Sequence, residues 1–361
     1  MKYGLIYDSA NCHITGDYLR KSVPEDQAVH FDLSKLKSNA EIRQLLETAA
    51  ARGEVPDILL HEIGAHGLPQ GLDKISIPTA SLDVDTFAWT PLRVRWSMLF
   101  DYVFTWHPSY VRLFEEAGHS RVFAIPHAVD RRYFAGADVN QDRFYDLGFV
   151  GNFGLPQYLA RDRVNLNLAK RFRMNDSRRK YGKKETVEVY ERCKAVVNVS
   201  RSEFPQEANM RCFEAMAAGA LLITGTPTEL TEWGLHEGEH FAGWRSEEEI
   251  PDLVDRFLRD NEKRTAIARA GQERTLKDFT YQRCLETMTD AIRRDGGDLF
   301  APARKWPSDE THLVYLSYYH RFRLPGPAVA EYRQLRRAKA YRKGLPMVLK
   351  ALHHGIRSSL M

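Results

Sequence analysis

An acidic residue, Glu214, lies within an otherwise apolar segment, Asn209–Gly219, of sequence NMRCFEAMAAG. A carboxylate on a helix that packs against a sheet can accept two hydrogen bonds from a vicinal diol, such as that of a ribose. The helix N-terminus offers free N–H groups and a partial positive charge to a phosphate, and Arg211 adds a fixed cation. The segment therefore suggests a nucleotide site, although such a Glu can also face solvent or pair with Arg211 one turn earlier.

Two further groups of residues could bind or activate a ligand. Gly151 and Gly154, in the stretch DLGFVGNFG, would let the backbone approach a diphosphate closely, but the same pattern is typical of an ordinary strand-ending turn. His61, Asp83 and Asp85 follow or end predicted strands, where open α/β sheets bind ligands. Each Asp can equally form a turn or cap a helix.

Short apolar runs that alternate with amphipathic stretches must position these residues. The predicted strands are Tyr3–Tyr7, Ala28–Leu33, Asp57–Glu62, Ile75–Leu82, Tyr102–Trp106 and Arg121–Ile125, followed by Asp146–Val150, Ala195–Val199, Ala220–Thr224 and His240–Gly243. The predicted helices between them include Ala40–Ala51, Ser109–Ala117, Lys184–Cys193 and Asn209–Ala218.

This alternation predicts parallel sheets covered by helices, and it occurs twice, with a break near Phe134–Phe144. The expected fold class is α/β, with two doubly wound domains that face each other. Gly219 suits the left-handed position after a helix C-terminus, so that Ala220–Thr224 continues as a buried strand. Three more helical stretches follow, the last at Tyr281–Arg294.

Composition excludes several protein classes. The 361-residue chain has no apolar run long enough to span a bilayer, and its N-terminus lacks the features of a signal peptide, so we expect a cytoplasmic protein. Cys12, Cys193, Cys212 and Cys284 are far apart and form no C-x-x-C pair. We therefore expect buried free thiols rather than a zinc site or a disulfide framework.

The C-terminal residues 321–361 are strongly basic, with ten Lys or Arg and one acid, whereas the whole chain has a net charge of only +4. Leu345, just before Pro346, and Leu349, Leu352 and Ile356, after it, fall near one face of a helix. The pattern fits a peripheral contact with anionic lipid and equally fits a terminal helix that packs on its own protein. Nucleic acid is not favoured, because no aromatic residues are interleaved as a stacking platform.

The stretch FEAMAAGALLITGTP resembles the nucleotide-binding signature of GT-B glycosyltransferases, in which an E-A-M-A-x-G helix precedes an apolar strand. The branch named after the spore maturation protein CgeB is most similar, through FVGN (Phe149–Asn152), AVVNVS (Ala195–Ser200), NMRCFEAMAAG and IPHAVD (Ile125–Asp130). The resemblance covers roughly residues 57 to 293.

The resemblance assigns residues to a donor site in the second domain. Glu214 matches the Glu that binds the ribose hydroxyls of the donor, and Arg163, with Arg161 as its competitor, matches the Arg that binds the diphosphate. The other donor-site residues implied are Gly151, Asn152, Tyr181, Gln206, Asn209, Met210 and Arg211. Many relatives carry a Glu eight residues before the ribose-binding one; here that position is Gln206, which cannot carry charge or take a proton.

The resemblance also bears on the chemistry. Many relatives have a His near the position of Asp83, and a carboxylate there could serve as general base for the acceptor hydroxyl, with Asp85 and His61 as further catalytic candidates. Asp83 and Asp85 spell D-x-D, but in this family the second domain holds the diphosphate, so we expect no obligatory metal and no cofactor. Gln206 and Asp83 leave the retaining or inverting outcome open.

The expected protein is a glycosyltransferase of GT-B architecture that moves a sugar from a nucleotide-diphosphate sugar to a glycan or lipid-linked acceptor, in surface polysaccharide or glycoconjugate assembly. A non-catalytic GT-B module that binds a nucleotide sugar or glycan, and a sugar-nucleotide epimerase, are the alternatives. The expected domains are 1–135 for the acceptor, 145–280 for the nucleotide sugar, a helix at 281–299 packed back on the first domain, and a basic helical tail at 300–361 that could hold the enzyme at the inner face of the membrane.

Overall fold

The computed structural model describes residues 1–7, 20, 23–33, 41–63, 68–83, 86, 89–201 and 204–349. The chain divides into two compact units, Met1–Ile125 with Leu285–Met361, and Pro126–Cys284. Each unit contains one sheet whose paired strands are parallel, which confirms the predicted α/β class.

The sheet of the first unit has six strands in the order β2-β1-β3-β4-β5-β6. They are β1 (Tyr3–Tyr7), β2 (Ala28–Asp32), β3 (Ile58–Ile63), β4 (Thr79–Asp83), β5 (Tyr102–Thr105) and β6 (Val122–Ala124). All six were predicted from the sequence. The prediction for β4 began too early, because a 3₁₀ turn at Leu72–Lys74 and then Pro78 precede the strand.

Among the described residues before β6, three complete helices flank this sheet: α1 (Ile42–Ala50), α2 (Thr90–Ser97) and α3 (Pro108–Glu116). The sequence predicted α1 and α3 but not α2. In α2 the buried residues are Arg93, Val94, Trp96 and Ser97. They mix polar with apolar types, so the helix lacks the single apolar stripe that identifies an amphipathic helix.

The second unit has four strands in the order β10-β9-β8-β7. These are β7 (Tyr145–Gly148), β8 (Cys193–Asn198), β9 (Leu221–Gly225) and β10 (Ala242–Trp244), and the helices are α4 (Leu159–Leu168), α5 (Lys183–Glu191), α6 (Met210–Ala217), α7 (Ile250–Arg259) and α8 (Asn261–Asp278). Residues 126–135 belong to this unit, because Val129 bridges to Thr280 and Phe134 is buried in its core.

The junction of α6 with β9 is formed as its sequence predicts. Gly219 has φ +69°, a left-handed conformation that a side chain would strain. Arg143 Nη2 donates to the Ala218 carbonyl at 3.1 Å, and Gln272 Nε2 donates to the Ala217 carbonyl at 3.1 Å. These donors satisfy carbonyls that the helix end leaves unpaired, and they hold α6 against the sheet.

The C-terminal part of the chain returns to the first unit. It comprises α9 (Tyr281–Arg294), within which the division between the units falls, α10 (Ser308–Arg321), α11 (Pro325–Arg337) and a further helical stretch at 341–349. Tyr315, Leu316, Tyr318, Ala328 and Leu335 lie in the same buried cluster as the apolar residues of β1, β2 and α1. These helices therefore form part of a core.

A buried carboxylate, Asp101, fixes the start of this segment. One of its oxygens accepts hydrogen bonds from the backbone N–H groups of Phe300 at 2.6 Å and Ala301 at 2.8 Å. The other accepts from the backbone N–H and the hydroxyl of Thr79, at 2.8 and 2.9 Å. Arg304 lies 3.4 Å away as the opposite charge. Asp101 thus connects β4 with the residues that lead into α10.

Cys193, Cys212 and Cys284 are buried free thiols, as predicted, whereas Cys12 lies outside the described residues. Burial raises the pKa of each of these three thiols to about 12, so they are uncharged near neutral pH.

Candidate functional site

The loop after β7 is held by side chains rather than by regular secondary structure. Asn175 accepts a hydrogen bond from the Phe149 N–H at 2.9 Å and donates to the Phe149 carbonyl at 2.8 Å, so both backbone groups of Phe149 have a hydrogen-bond partner. Further along, the Gly154 N–H, at φ +78°, donates to Asp162 Oδ2 at 2.8 Å. The loop is therefore fixed at both ends.

Arg211, in the first turn of α6, places its guanidinium over the Phe149 ring at 4.2 Å. Its Nε donates to the Val150 carbonyl at 3.0 Å, and its Nη1 donates to Asn198 Oδ1 at 2.8 Å. A Cβ on Gly151 would lie 2.6 Å from Arg211 Nη2, which explains why this position needs a glycine. The guanidinium is thus rigidly held, and its hydrogen-bond acceptors are neutral oxygens.

Asn209 and Asn198 build the N-terminus of α6. Asn209 is the N-cap, since its side chain accepts a hydrogen bond from the Arg211 N–H at 3.1 Å. Its amide donates at 2.9 Å to Asn198 Oδ1, the atom that also accepts from Arg211. Asn198 ends β8 and donates in turn to Thr224 of β9 at 3.0 Å. The sequence motif indicates Asn209 as a donor-site residue but not Asn198, because no spacing rule distinguishes Asn198 from an ordinary residue at a strand end.

Arg161, rather than Arg163, lies beside Arg211. The Arg161 guanidinium stacks on Tyr158 at 3.9 Å and on Phe149 at 5.0 Å, and it donates to the Asn152 carbonyl. Arg161 is buried, whereas the Arg163 side chain is exposed on the same helix. The position of Arg161 therefore favours it over Arg163 as the candidate for binding a diphosphate.

The two buried arginines make this end of the sheet electropositive. Burial, followed by the repulsion of Arg211, lowers the pKa of Arg161 to about 10. Asp162, 3.5 Å from Arg161, offsets this charge only in part, and Arg161 Nε has no hydrogen-bond acceptor among the described residues. Two guanidinium groups held close to each other are suited to bind a polyanion, such as a diphosphate.

Glu214 lies one turn after Arg211 on α6 and is half-buried. Within the described part of the chain its carboxylate accepts no hydrogen bond and forms no ion pair. Burial raises the pKa of Glu214, and the charges of Lys183 and Arg211 oppose that shift. A partly desolvated carboxylate without donors is an unfavourable feature unless a ligand supplies them. Two vicinal hydroxyl groups would do so.

The side chains of the remaining donor-site candidates, except Asn209, form no hydrogen bond with Arg161, Arg211 or Glu214 within the described residues. Tyr181 donates from its hydroxyl to the Asp176 carbonyl at 3.0 Å, just before α5. Asn152 and Gln206 are exposed, and Met210 is half-buried. The backbone carbonyl of Gln206 accepts from the Glu229 N–H at 2.9 Å. Their roles toward a ligand stay predictions.

The catalytic candidates belong to the first unit. Asp83 is fully buried at the end of β4, and its Oδ1 accepts from Arg93 Nη1 at 2.8 Å, in an ion pair that solvent does not reach. His61 is buried on β3 and stacks on Phe100 at 5.6 Å. Asp85 lies outside the described residues. Both Asp83 and His61 are buried, and their role as a general base stays a prediction.

No group of three or more His, Cys, Asp or Glu in the described ranges could hold a metal ion. No helix in those ranges is long and apolar enough to cross a bilayer.

Comparison with known proteins bears on the whole arrangement. Residues 112–290 match a family described as "Glycosyl transferase-like". The sequence matches no protein of curated function.

Many solved structures resemble the chain, among them the following three. HepE from Anabaena, in complex with UDP, has 13% sequence identity and a TM-score of 0.55, over 80% of this chain and 100% of that one. A glycosyltransferase from Rickettsia africae has 8% identity and a TM-score of 0.52, over 81% and 98%. Sucrose-phosphate synthase from Thermosynechococcus elongatus has 12% identity and a TM-score of 0.51, over 82% and 99%. The chain has the GT-B glycosyltransferase fold. The predicted GT-B fold class is confirmed, while membership of the CgeB-like branch stays a prediction.

Proposed function

We propose that this GT-B protein is a glycosyltransferase that takes its sugar from a nucleotide-diphosphate donor bound in the second unit. The observation that carries the proposal is the half-buried Glu214 carboxylate, one helical turn from Arg211, to which no side chain or backbone group of the described residues donates a hydrogen bond. A ribose diol on Glu214 would direct the diphosphate of the same nucleotide toward Arg211 and Arg161. HepE, which shares the fold, was solved with UDP and with UDP-glucose.

The arginines also explain how such a site would accelerate transfer. The sugar departs as an oxocarbenium-like species while negative charge builds on the diphosphate. Arg161 and Arg211 are held in place before the reaction, so they stabilise the developing charge without reorganising. Their contribution is larger in the transition state than in the ground state, as catalysis requires. We expect no obligatory metal, because two guanidinium groups and the N-terminus of α6 can hold the diphosphate.

The acceptor is expected to be a glycan or a lipid-linked saccharide, as in surface polysaccharide or glycoconjugate assembly, which would place the enzyme in the cytoplasm or at the inner face of a membrane. A non-catalytic module that binds a nucleotide sugar is the second candidate. It is favoured by Gln206, an exposed amide where many relatives carry a Glu, and by Asp83, whose carboxylate is occupied by Arg93.

The test is a binding panel of UDP, GDP, dTDP and CMP, measured by thermal shift and calorimetry on the wild type and two variants. Glu214→Ala removes the proposed ribose ligand. Glu188→Ala removes an exposed carboxylate from the neighbouring helix α5 and serves as the control. Two hydrogen bonds to a charged group are together worth about 3 kcal/mol, so we expect Glu214→Ala to weaken binding by about 100-fold.

One diphosphate should raise the melting temperature of the wild type and of Glu188→Ala but not that of Glu214→Ala. If no nucleotide stabilises the wild type at millimolar concentration, the donor site is wrong. Turnover then separates the two candidates, because an enzyme transfers or slowly hydrolyses its sugar donor, whereas a binding module leaves it intact.

A further inference from the structure

The surface formed by the end of α11 and the helical stretch 341–349 combines exposed cations with exposed large apolar side chains. Nine large hydrophobic residues are exposed in the described part of the chain, and three of them fall in this short stretch: Tyr341 at 40%, Leu345 at 39% and Leu349 at 56%. Their spacing of four residues places them along one side of the helix. Single exposed apolar residues are normal, but a continuous stripe marks an interaction surface.

Close packing fixes which side of this helix is exposed. A Cβ on Gly344 would lie 2.5 Å from Leu335 Cδ1 and 2.8 Å from Leu316 Cδ2, so the helix approaches α10 and α11 closely at this glycine. Val348, one turn later, is buried in the same cluster. The helix therefore cannot rotate to bury Tyr341, Leu345 and Leu349 without losing this contact.

Every exposed charge within residues 321–349 is positive. Residues 321–349 contain a single acid, Glu331, which is buried and bonded to His312 and Gln70. The exposed cations are Arg323, Arg333, Arg336, Arg337, Lys339, Arg342 and Lys343. Lys343 pairs with Asp309 at 3.0 Å, but Arg336, Lys339 and Arg342 form no ion pair with a described residue.

Local helix electrostatics explain only some of these cations. Arg336 and Arg337 occupy the last turn of α11, where the helix dipole favours positive charge. Arg342 and Lys343 occupy the first turn of the next helix, where the dipole disfavours it. Lys339 lies at the turn between the helices, at φ +58°. Cations that lie where the helix dipole disfavours positive charge, next to an apolar stripe, point to an anionic partner outside the chain.

We propose that this surface, Tyr341, Leu345 and Leu349 with Arg336, Lys339 and Arg342, docks the protein on an anionic lipid bilayer. The apolar stripe would enter the boundary between headgroups and acyl chains, while the cations bind the anionic headgroups. A bilayer fits the chemistry because it offers apolar and anionic groups together along an extended surface. The inference is independent of the donor site, so its failure would leave the proposed function intact.

The experiment is co-sedimentation of the full-length protein with vesicles of phosphatidylcholine alone and of phosphatidylcholine mixed with phosphatidylglycerol. Leu345→Ser/Leu349→Ser interrupts the stripe, and Arg336→Gln/Lys339→Gln/Arg342→Gln removes cations. The matched controls lie in the second unit. Leu155→Ser/Leu159→Ser changes two exposed leucines with the same spacing, and Arg256→Gln/Arg259→Gln/Lys263→Gln removes three exposed cations.

We expect the wild type and both controls to bind only the anionic vesicles, and each surface variant to bind them at least about tenfold more weakly. Unchanged melting temperatures would show that the variants remain folded. The proposal is overturned if the wild type binds neither vesicle, if it binds both equally, or if the controls lose as much affinity as the surface variants. It is also overturned if Leu345→Ser/Leu349→Ser only dissociates a dimer, or if the surface retains nucleic acid instead of vesicles.

Discussion

Replacing Arg161 by Met should show whether the charge of this side chain serves ligand binding or the stability of the fold. Met retains much of the apolar contact with Tyr158 and Phe149 but removes the guanidinium. Arg163→Met, two residues along α4, is the matched control, because that side chain is exposed. If Arg161 serves a diphosphate, its loss should weaken binding while the free protein keeps its stability.

The expected effect on stability follows from opposing terms. The pKa of Arg161, lowered to about 10 by burial and then by Arg211, corresponds to about 3 kcal/mol against the charged form. Against this, Met loses the hydrogen bond to the Asn152 carbonyl and the stacking on two rings, each worth about 1 kcal/mol. These terms nearly cancel, so the free energy of unfolding should change by less than about 1.5 kcal/mol.

Binding should change much more. A charge-assisted hydrogen bond to phosphate is worth about 1.5–3 kcal/mol, so Arg161→Met should bind a nucleoside diphosphate roughly 10- to 100-fold more weakly. Calorimetry measures this loss for the nucleoside diphosphate that binds best in the panel of UDP, GDP, dTDP and CMP. A second titration with inorganic pyrophosphate measures the loss for a diphosphate without a nucleoside. The reasoning is refuted if Arg163→Met loses affinity while Arg161→Met binds like the wild type. It also fails if Arg161→Met is strongly destabilised without ligand.

Three further changes test other parts of the structure. Because burial raises the folded-state pKa of Glu214, the wild type loses stability as pH rises from the ordinary value through the raised one. Glu214→Gln should therefore gain stability relative to the wild type over that interval in thermal melts, while binding diphosphate poorly throughout. Asp101→Asn weakens a buried, charge-dependent set of hydrogen bonds and should cost about 3–5 kcal/mol in denaturant unfolding, with earlier proteolysis near residue 300. Gly151→Ala places a Cβ 2.6 Å from Arg211 Nη2 and should reduce diphosphate affinity in calorimetry, whereas Gly136→Ala, with open space around it, should not.

The fold was largely predictable because parallel strands are long apolar runs between helices. β1 was predicted to the residue, and every other strand was placed within a few residues of its observed bounds. The sequence pattern does not delimit α10 and α11, because in α10 the buried residues Val314, Tyr315, Leu316, Tyr318 and Tyr319 are nearly consecutive and hide the helical periodicity. It also left open whether the C-terminal segment packs on the protein. Leu316 and Leu335 are fully buried in the first unit, so one face of that segment does.

The site was predictable only where a local motif carried it. Glu214, Arg211 and Asn209 lie within a single helix and its cap, so their spacing alone related them. Asn198 ends β8 and Phe149 follows β7, and only the parallel register of β7, β8 and β9 brings them to the same edge. The choice between Arg161 and Arg163 depended on which face of α4 is buried, which a short helix does not reveal when most of its buried residues are polar.

Buried arginines occur in both units, and their acceptors distinguish their roles. Arg93 donates to the Asp83 carboxylate at 2.8 Å, and both side chains are almost fully buried, so these two opposite charges lie against each other. Arg211 donates to a backbone carbonyl and an amide oxygen, which position the guanidinium but leave its charge intact. Arg161 has one carboxylate nearby and a second guanidinium facing it. A buried guanidinium whose hydrogen-bond acceptors are neutral is unfavourable in the free protein, because no anion is bonded to it. A bound anion would offset that unfavourable free energy, and for this reason we place the diphosphate in the second unit.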